Sequence, residues 1–246
     1  MVNINKMVYI PQKMGPLSVD LHVHTPRSTC YRDKGATAES IVDAAIGAGL
    51  DIMAVTDHNT TAAIDEVRSV ASKRGLLVFP GVEVSTASGH VLALFDISAT
   101  NTAVDGMLER IGIARDAAGD GGRLAKCQMD EVFKAISDAG GLAIAAHVDR
   151  WPTGVLHANT SLGDKVRLLS SEYLSAVEIT IPGDRSLWNT GRIPNISAKL
   201  ACVQSSDAHA PSEIGRRRVL VTMSKVSLEG MREALSNDGT AIVFPD

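Results

Sequence analysis

Two short segments far apart in the chain carry side chains that bind metals. Asp20-Leu21-His22-Val23-His24 and Asp207-Ala208-His209 each set such residues two apart, directly after an apolar run. Residues i and i+2 of an extended strand project from one face, so His22 and His24 can converge just beyond Val19 and Leu21. Asp207 and His209 can do the same beyond Ala201-Cys202-Val203. Three further apolar segments end in residues of the same kind: 52–55 before Asp57 and His58, 77–82 before Glu83, and 142–146 before His147. A single His after a strand commonly serves as a hydrogen-bonded structural residue. The set argues for more, because of the seven histidines only His157 lies in an evidently irregular stretch. Imidazoles and carboxylates gathered from several strand ends point to a polynuclear metal site.

The elements that would position these residues follow from period and punctuation. Apolar strand-like segments alternate with helical ones through most of the chain, the signature of βα units and a largely parallel sheet. Thr37 is set to cap a helix through the 41–49 stretch, and 60–74 reads as another helix closed by Gly75. The 89–95 stretch reads as a partner strand to the one ending near Glu83, which keeps His90 close to that carboxylate. Helices are expected at 103–118 and 129–139, and strands at 176–180 and 218–222. The stretches 150–162 and 182–197 are irregular, contain Trp151 and Trp188, and are the expected seat of substrate selectivity. In a βα barrel all strand C-termini lie on one face, so ligands scattered through the sequence meet in one cavity.

Composition sets the bounds. The 246 residues suffice for one sizeable core, and a single domain over 1–246 is expected. No apolar run reaches the roughly 18 residues that span a bilayer, so no membrane partner is expected. Residues 1–16 alternate apolar and polar character without the marks of a secretory signal, making a cytoplasmic location the default expectation. Cys30, Cys127 and Cys202 are widely separated and odd in number, which speaks against a disulfide framework. A net charge of −4 argues against holding long nucleic acid by bulk electrostatics, although Arg216-Arg217-Arg218 forms a local basic patch.

DLHVHT, AVTDHN, PGVEVS, AAHV and SSDAHA, in that order, resemble the polymerase and histidinol phosphatase (PHP) family. The resemblance runs from about Val19 to Ala210 and implies a distorted (β/α)7 TIM-like barrel with two or three divalent metal ions (Zn, Mn or Fe) at its mouth. It further implies that His22, His24, Glu83 and Asp207 hold one metal, and that Glu83 bridges to a second metal bound by His147 and His90. His58 and His209 would hold a third. Where family members commonly add another His or Asp, this chain reads Thr25 to Asp33 with no match, and either Cys30 or Asp33 could substitute. Cys30 would favour a soft metal such as zinc. Asp57 and His58 are adjacent and point to opposite strand faces, which assigns His58 to metal and Asp57 to orientation or a structural hydrogen bond. Asp20 either supports the site from below or is a buried carboxylate satisfied by backbone donors.

The implied reaction is phosphoester hydrolysis, in which bridged metals roughly 3.5 to 4 Å apart lower the pKa of a shared water that attacks phosphorus. Glu83, Asp207 and His209 are the candidate catalytic groups, with ligation taking precedence for the last two. Arg27, Arg150, Arg185 and Arg216 border predicted loops at the mouth and could clamp a phosphate. Trp151 and Trp188 could stack a nucleobase. A nucleotide or single-stranded nucleic acid is the expected substrate. The alternatives are a small-molecule phosphate monoesterase, a metal-binding scaffold for a polymerase or ATPase assembly, and a hydrolase of amides or lactones on a similar barrel. The opening motif also resembles PHP domains joined to ATPase modules, and since no GxxxxGK[ST] loop occurs, such an ATPase would be a separate partner.

Overall fold

A computed structural model describes residues 15–236 and 240–245 of the chain. Most of the N-terminal stretch considered for a targeting signal therefore lies outside the described residues. β1 (Leu17–Val23), β2 (Ile52–Val55) and β3 (Leu77–Thr86) lie side by side and parallel. β4 (Gly89–Leu94) then runs antiparallel to both β3 and β5 (Leu142–Ala145). β6 (Leu174–Glu178) and β7 (Cys202–Val203) continue parallel to β5. The ring closes where Val23 bridges Ala208, with the His24 N–H donating to Ala208 O at 3.0 Å. The nearly closed barrel of the expected type is thus present, with its seam at the two segments that carry His22, His24 and Asp207. β8 (Val219–Val221) and β9 (Ile242–Val243) extend the sheet beyond the barrel from the N-terminal part of β1.

Helices α1 (Ala38–Gly47), α2 (Ile64–Ser72), α3 (Asn101–Arg110), α4 (Met129–Asp138) and α5 (Leu162–Leu169) cover the sheet, followed by the short α6 (Arg185–Asn189) and by α7 (Leu228–Ser236). The Thr37 side chain accepts from the Ser40 N–H and the Ser40 hydroxyl oxygen accepts in return from the Thr37 N–H, a reciprocal cap that fixes where α1 starts. Leu21, Ala54, Phe79, Leu92, Ile144 and Val203 pack into one apolar cluster with Met231 and Leu235 of α7. Val82, Val84, Val91 and Val177 pack outward against Phe133 and Ile136 of α4. Full burial of side chains of this size is worth about 1.5–3 kcal/mol each, so the polar groups at the strand ends stand on a firm base. Among the described residues, no helix is long and apolar enough to cross a membrane.

β1 is not regular. Asp20 pairs with Met53 while Val23 pairs with Val55, so β1 holds one residue more than its partner between those pairs. Such a bulge re-aims the side chains beyond it. Asp20 accordingly leaves the direction taken by His22 and His24.

Candidate metal centre

The strand ends bring four donors to nearly equal separations. His22 Nε2 lies 3.1 Å from His24 Nε2, 3.2 Å from Glu83 Oε2 and 3.2 Å from Asp207 Oδ1. His24 Nε2 lies 3.2 Å from Glu83 Oε2 and 3.1 Å from Asp207 Oδ1. Tetrahedral ligands about 2.0–2.1 Å from an ion are about 3.3–3.4 Å apart, so this spacing fits a cation at the centre.

The proton inventory agrees. His22 Nδ1–H donates to Glu178, 3.1 Å from Oε2. His24 Nδ1–H donates to Ser28 Oγ at 3.0 Å, and the Ser28 hydroxyl donates in turn to Asp57 Oδ1 at 2.6 Å. Both Nε2 atoms of the neutral rings therefore carry lone pairs, aimed at each other and at two carboxylate oxygens. Only added protons or a cation can reconcile such a group. Burial pushes the His24 ring down, but hydrogen bonds to Asp207 and Glu83 overcome it and raise the ring to about 9. His22 is raised well above its ordinary value by Asp207, Glu83 and Glu178, again against burial. The imidazoles in turn hold Glu83 and Asp207 well below the usual carboxylate range despite burial.

Glu83 is the hub. Its Oε1 lies 2.8 Å from His90 Nδ1 and 3.1 Å from His147 Nε2, while its Oε2 faces His22, His24 and, at 3.1 Å, His58 Nδ1. The His58 atom has no hydrogen-bond partner although it is buried. The antiparallel course of β4 explains His90: a strand running back from the mouth begins there, and His90 pairs with Ser85 on β3. Donor atoms of His24, His58 and His209 form a third group within 4.8 Å of one another. His209 Nδ1–H is held by Asp207 O at 2.8 Å, leaving Nε2 beside Cys30 Sγ at 3.1 Å. Asp33 instead accepts from the Gly35 N–H in a local turn. Burial and the Glu83 carboxylate push the Cys30 thiol up to about 11.

The backbone is bent where two of these residues stand. His147 and Asp207 have φ of 30° and 49°, a left-handed region costing about 1–3 kcal/mol for a side chain other than glycine. The His147 N–H is held in this bend by Glu178 Oε2 at 2.8 Å. Asp57 turns away from His58 and accepts from the Thr25 N–H and hydroxyl at 2.8 and 2.7 Å. Asp20 accepts from the Ser206 and Gly215 N–H groups at 3.0 and 2.9 Å, the arrangement of a buried carboxylate satisfied by backbone donors.

The candidate phosphate clamps are dispersed. Arg150 reaches the cluster and pairs with Asp207 Oδ2. Arg27 pairs with Glu66 and Arg216 with Glu213 in exposed positions, and Arg185 lies over the Phe244 ring and donates to Ile242 O. Trp188, on α6, is buried in the core, whereas Trp151 is exposed. Sequence reasoning missed Glu178 and Ser28. Glu178 ends an apolar strand as the candidate ligands do, a signal that could have nominated it; Ser28 lies in a loop and carries none.

A barrel whose strand ends collect imidazoles and carboxylates around one central glutamate has the donor set of metal-dependent hydrolases. A PHP domain model matches residues 20–177, and the chain belongs to that family. It is 44% identical over 69 residues to the 5'-3' exoribonuclease Rnm of Escherichia coli strain K12, a stretch that is 27% of this chain and 22% of that protein. It is 32% identical over 81 residues to a 3',5'-nucleoside bisphosphate phosphatase of Chromobacterium violaceum, 31% of this chain and 27% of that protein. The chain thus spans about a quarter of the length of these relatives. In fold it is similar to the lesion-specific endonuclease PfuEndoQ of Pyrococcus furiosus, with a TM-score of 0.72 at 19% identity over 93% of this chain and 57% of that one.

Proposed function

We propose that the protein is a metal-dependent phosphoesterase that hydrolyses a phosphoester of a nucleotide or single-stranded nucleic acid. The observation that carries this reading is the convergence of His22, His24, Glu83 and Asp207 at tetrahedral spacing, with the second Glu83 oxygen turned to His90 and His147. On this reading the first four residues hold one divalent ion, and Glu83 shares a second with His147 and His90. His58, His209 and Cys30 stand ready for a third. Bound ions supply Lewis acidity at phosphoryl oxygens and a lowered pKa for water.

The chain's own groups do the rest. Glu178 and the Ser28–Asp57 pair keep protons on the Nδ1 atoms of His22 and His24, so that their Nε2 atoms stay bare. Arg150 spends one N–H on Asp207 and has further donors for a phosphoryl oxygen. His209 has only Nε2 free, on the more open side of the site; ligation of a third ion takes precedence there, and only without that ion can this nitrogen accept a proton. The nucleic-acid or nucleotide class is supported by the names of the relatives, an exoribonuclease and a nucleoside bisphosphate phosphatase.

The test is to load the purified protein with manganese and compare phosphate release from nucleoside monophosphates with cleavage of end-labelled single-stranded DNA and RNA. Turnover of one class supports the reading. Full metal content with no turnover of any phosphoester supports instead a scaffold, or an enzyme that waits for a separate ATPase partner.

A further inference from the structure

Trp151 is 76% exposed, the largest exposure among the large apolar side chains described, and so it anchors no core. The turn that carries it is nevertheless tied down. Arg150 on one side pairs with Asp207, and Thr153 Oγ1 on the other lies 3.4 Å from His147 Nδ1. The Gly154 N–H donates to Arg150 O at 2.7 Å, and the Arg150 N–H to His147 O at 2.8 Å. A Cβ at Gly154 would stand 2.4 Å from His147 O, so this turn packs against the end of β5 too closely for any other residue. Both flanks of an exposed indole thus touch candidate ligands.

An aromatic face beside a guanidinium matches a ligand that joins a flat π-system to an anion. Trp151 follows Arg150 directly in the chain, so one short turn tied to the site carries both an exposed indole and a guanidinium. A nucleotide has this layout, with base and phosphate separated by a sugar. We infer that Trp151 stacks on the nucleobase next to the phosphate being cleaved and makes the site selective for phosphoesters that carry a base. This rests on the proposed hydrolase activity and names what it selects.

Abasic scanning tests it. Manganese-loaded wild type, Trp151→Ala and Trp151→Phe are each given 5'-phosphorylated thymidine heptamers with one base removed in turn. In the wild type, removal at one position lowers kcat/KM about 10-fold or more, the size of one lost base–aromatic stack. In Trp151→Ala the intact heptamer is already slow and that removal costs nothing further, while Trp151→Phe restores most of the difference. Equal sensitivity to base removal in wild type and Trp151→Ala overturns the inference and leaves the hydrolase reading standing.

If no heptamer is cleaved by any form, the hydrolase reading is judged on the other phosphoesters, and binding decides the stacking separately. In a Trp188→Phe background Trp151 is the sole tryptophan and can be excited selectively over the three tyrosines. Quenching by adenosine monophosphate but not by ribose 5-phosphate supports stacking, and equal or absent responses overturn it. A shift from dimer to monomer in Trp151→Ala, without a change in nucleotide binding, would assign the indole to a second copy of the chain and also overturn it.

Discussion

Replacing Glu178 by Gln should weaken metal binding without unfolding the barrel. Glu178 is buried and accepts from two donors, the His147 N–H at 2.8 Å and His22 Nδ1–H at 3.1 Å from the same oxygen, with its other oxygen 3.3 Å from that ring. A carboxylate satisfies both because it only accepts. An amide oxygen in the Oε2 position can still accept from both, but the bonds lose the carboxylate's charge and the NH2 then stands 3.3 Å from His22 Nδ1–H, donor against donor. Turned the other way, the NH2 opposes both donors. Either arrangement loosens the hold on the Nδ1 proton that keeps His22 Nε2 free for Glu83 and Asp207. Loss of an outer partner of a ligating imidazole typically costs 10–100-fold in metal affinity, about 1.4–2.7 kcal/mol. Competition of Glu178→Gln and wild type against a chromophoric zinc chelator reads this directly, with circular dichroism to verify folding. Zinc affinity within twofold of wild type would refute the role given to Glu178.

Metal uptake should strengthen with pH. In the metal-free protein His24 titrates at about 9 and His22 is also raised, so an ion entering at neutral pH displaces protons and its affinity rises at least about tenfold per pH unit from 6 to 8; a flat profile in calorimetry would contradict this. Burial raises the Asp20 carboxyl from its ordinary 3.8 to about 6, so the folded state holds the extra proton. Its contribution to stability is therefore present below pH 4 and is lost as pH rises to 6, by about 3 kcal/mol. Denaturant titrations of metal-free wild type and Asp20→Asn should show that difference in pH slope, and parallel slopes would refute it. Glu83→Ala should abolish hydrolysis and lower the metal count per chain, and wild-type turnover with full metal content would sink the bridging assignment. Gly121→Ala would place a Cβ 2.8 Å from His58 Nε2, and should reduce metal binding on the His58 side by metal analysis while leaving the melting temperature within a few degrees.

Much of the site was legible because strand geometry is periodic. The alternation of His22 and His24 at the end of an apolar run, and the recurrence of such ends at His58, Glu83, His147 and Asp207, needed only the rule that strand ends of a βα barrel share a face. The bulge between Asp20 and Val23 was not legible, because it depends on register against β2, and Asp20 accordingly turned away from the two histidines. Of the four candidate arginines Arg150 reaches the cluster, whereas the dispersal of Arg27, Arg185 and Arg216 was not legible. Arg185 is drawn to Phe244 and β9, elements late in the chain whose docking no local pattern announces, and Trp188 lies in a stretch that reads as irregular but folds into α6 over the core. The helix expected at 103–118 stops at Arg110, and after a break a short 3-10 turn occupies Arg115–Ala117.

The central claim is that a cation sits among His22, His24, Glu83 and Asp207. Zinc-soaked crystals measured at the zinc absorption edge test it most directly. An anomalous peak about 2.0–2.2 Å from His22 Nε2, His24 Nε2 and an oxygen of each carboxylate is the expected result. An ion found only elsewhere, with these four groups closed on one another through protons, would contradict the account.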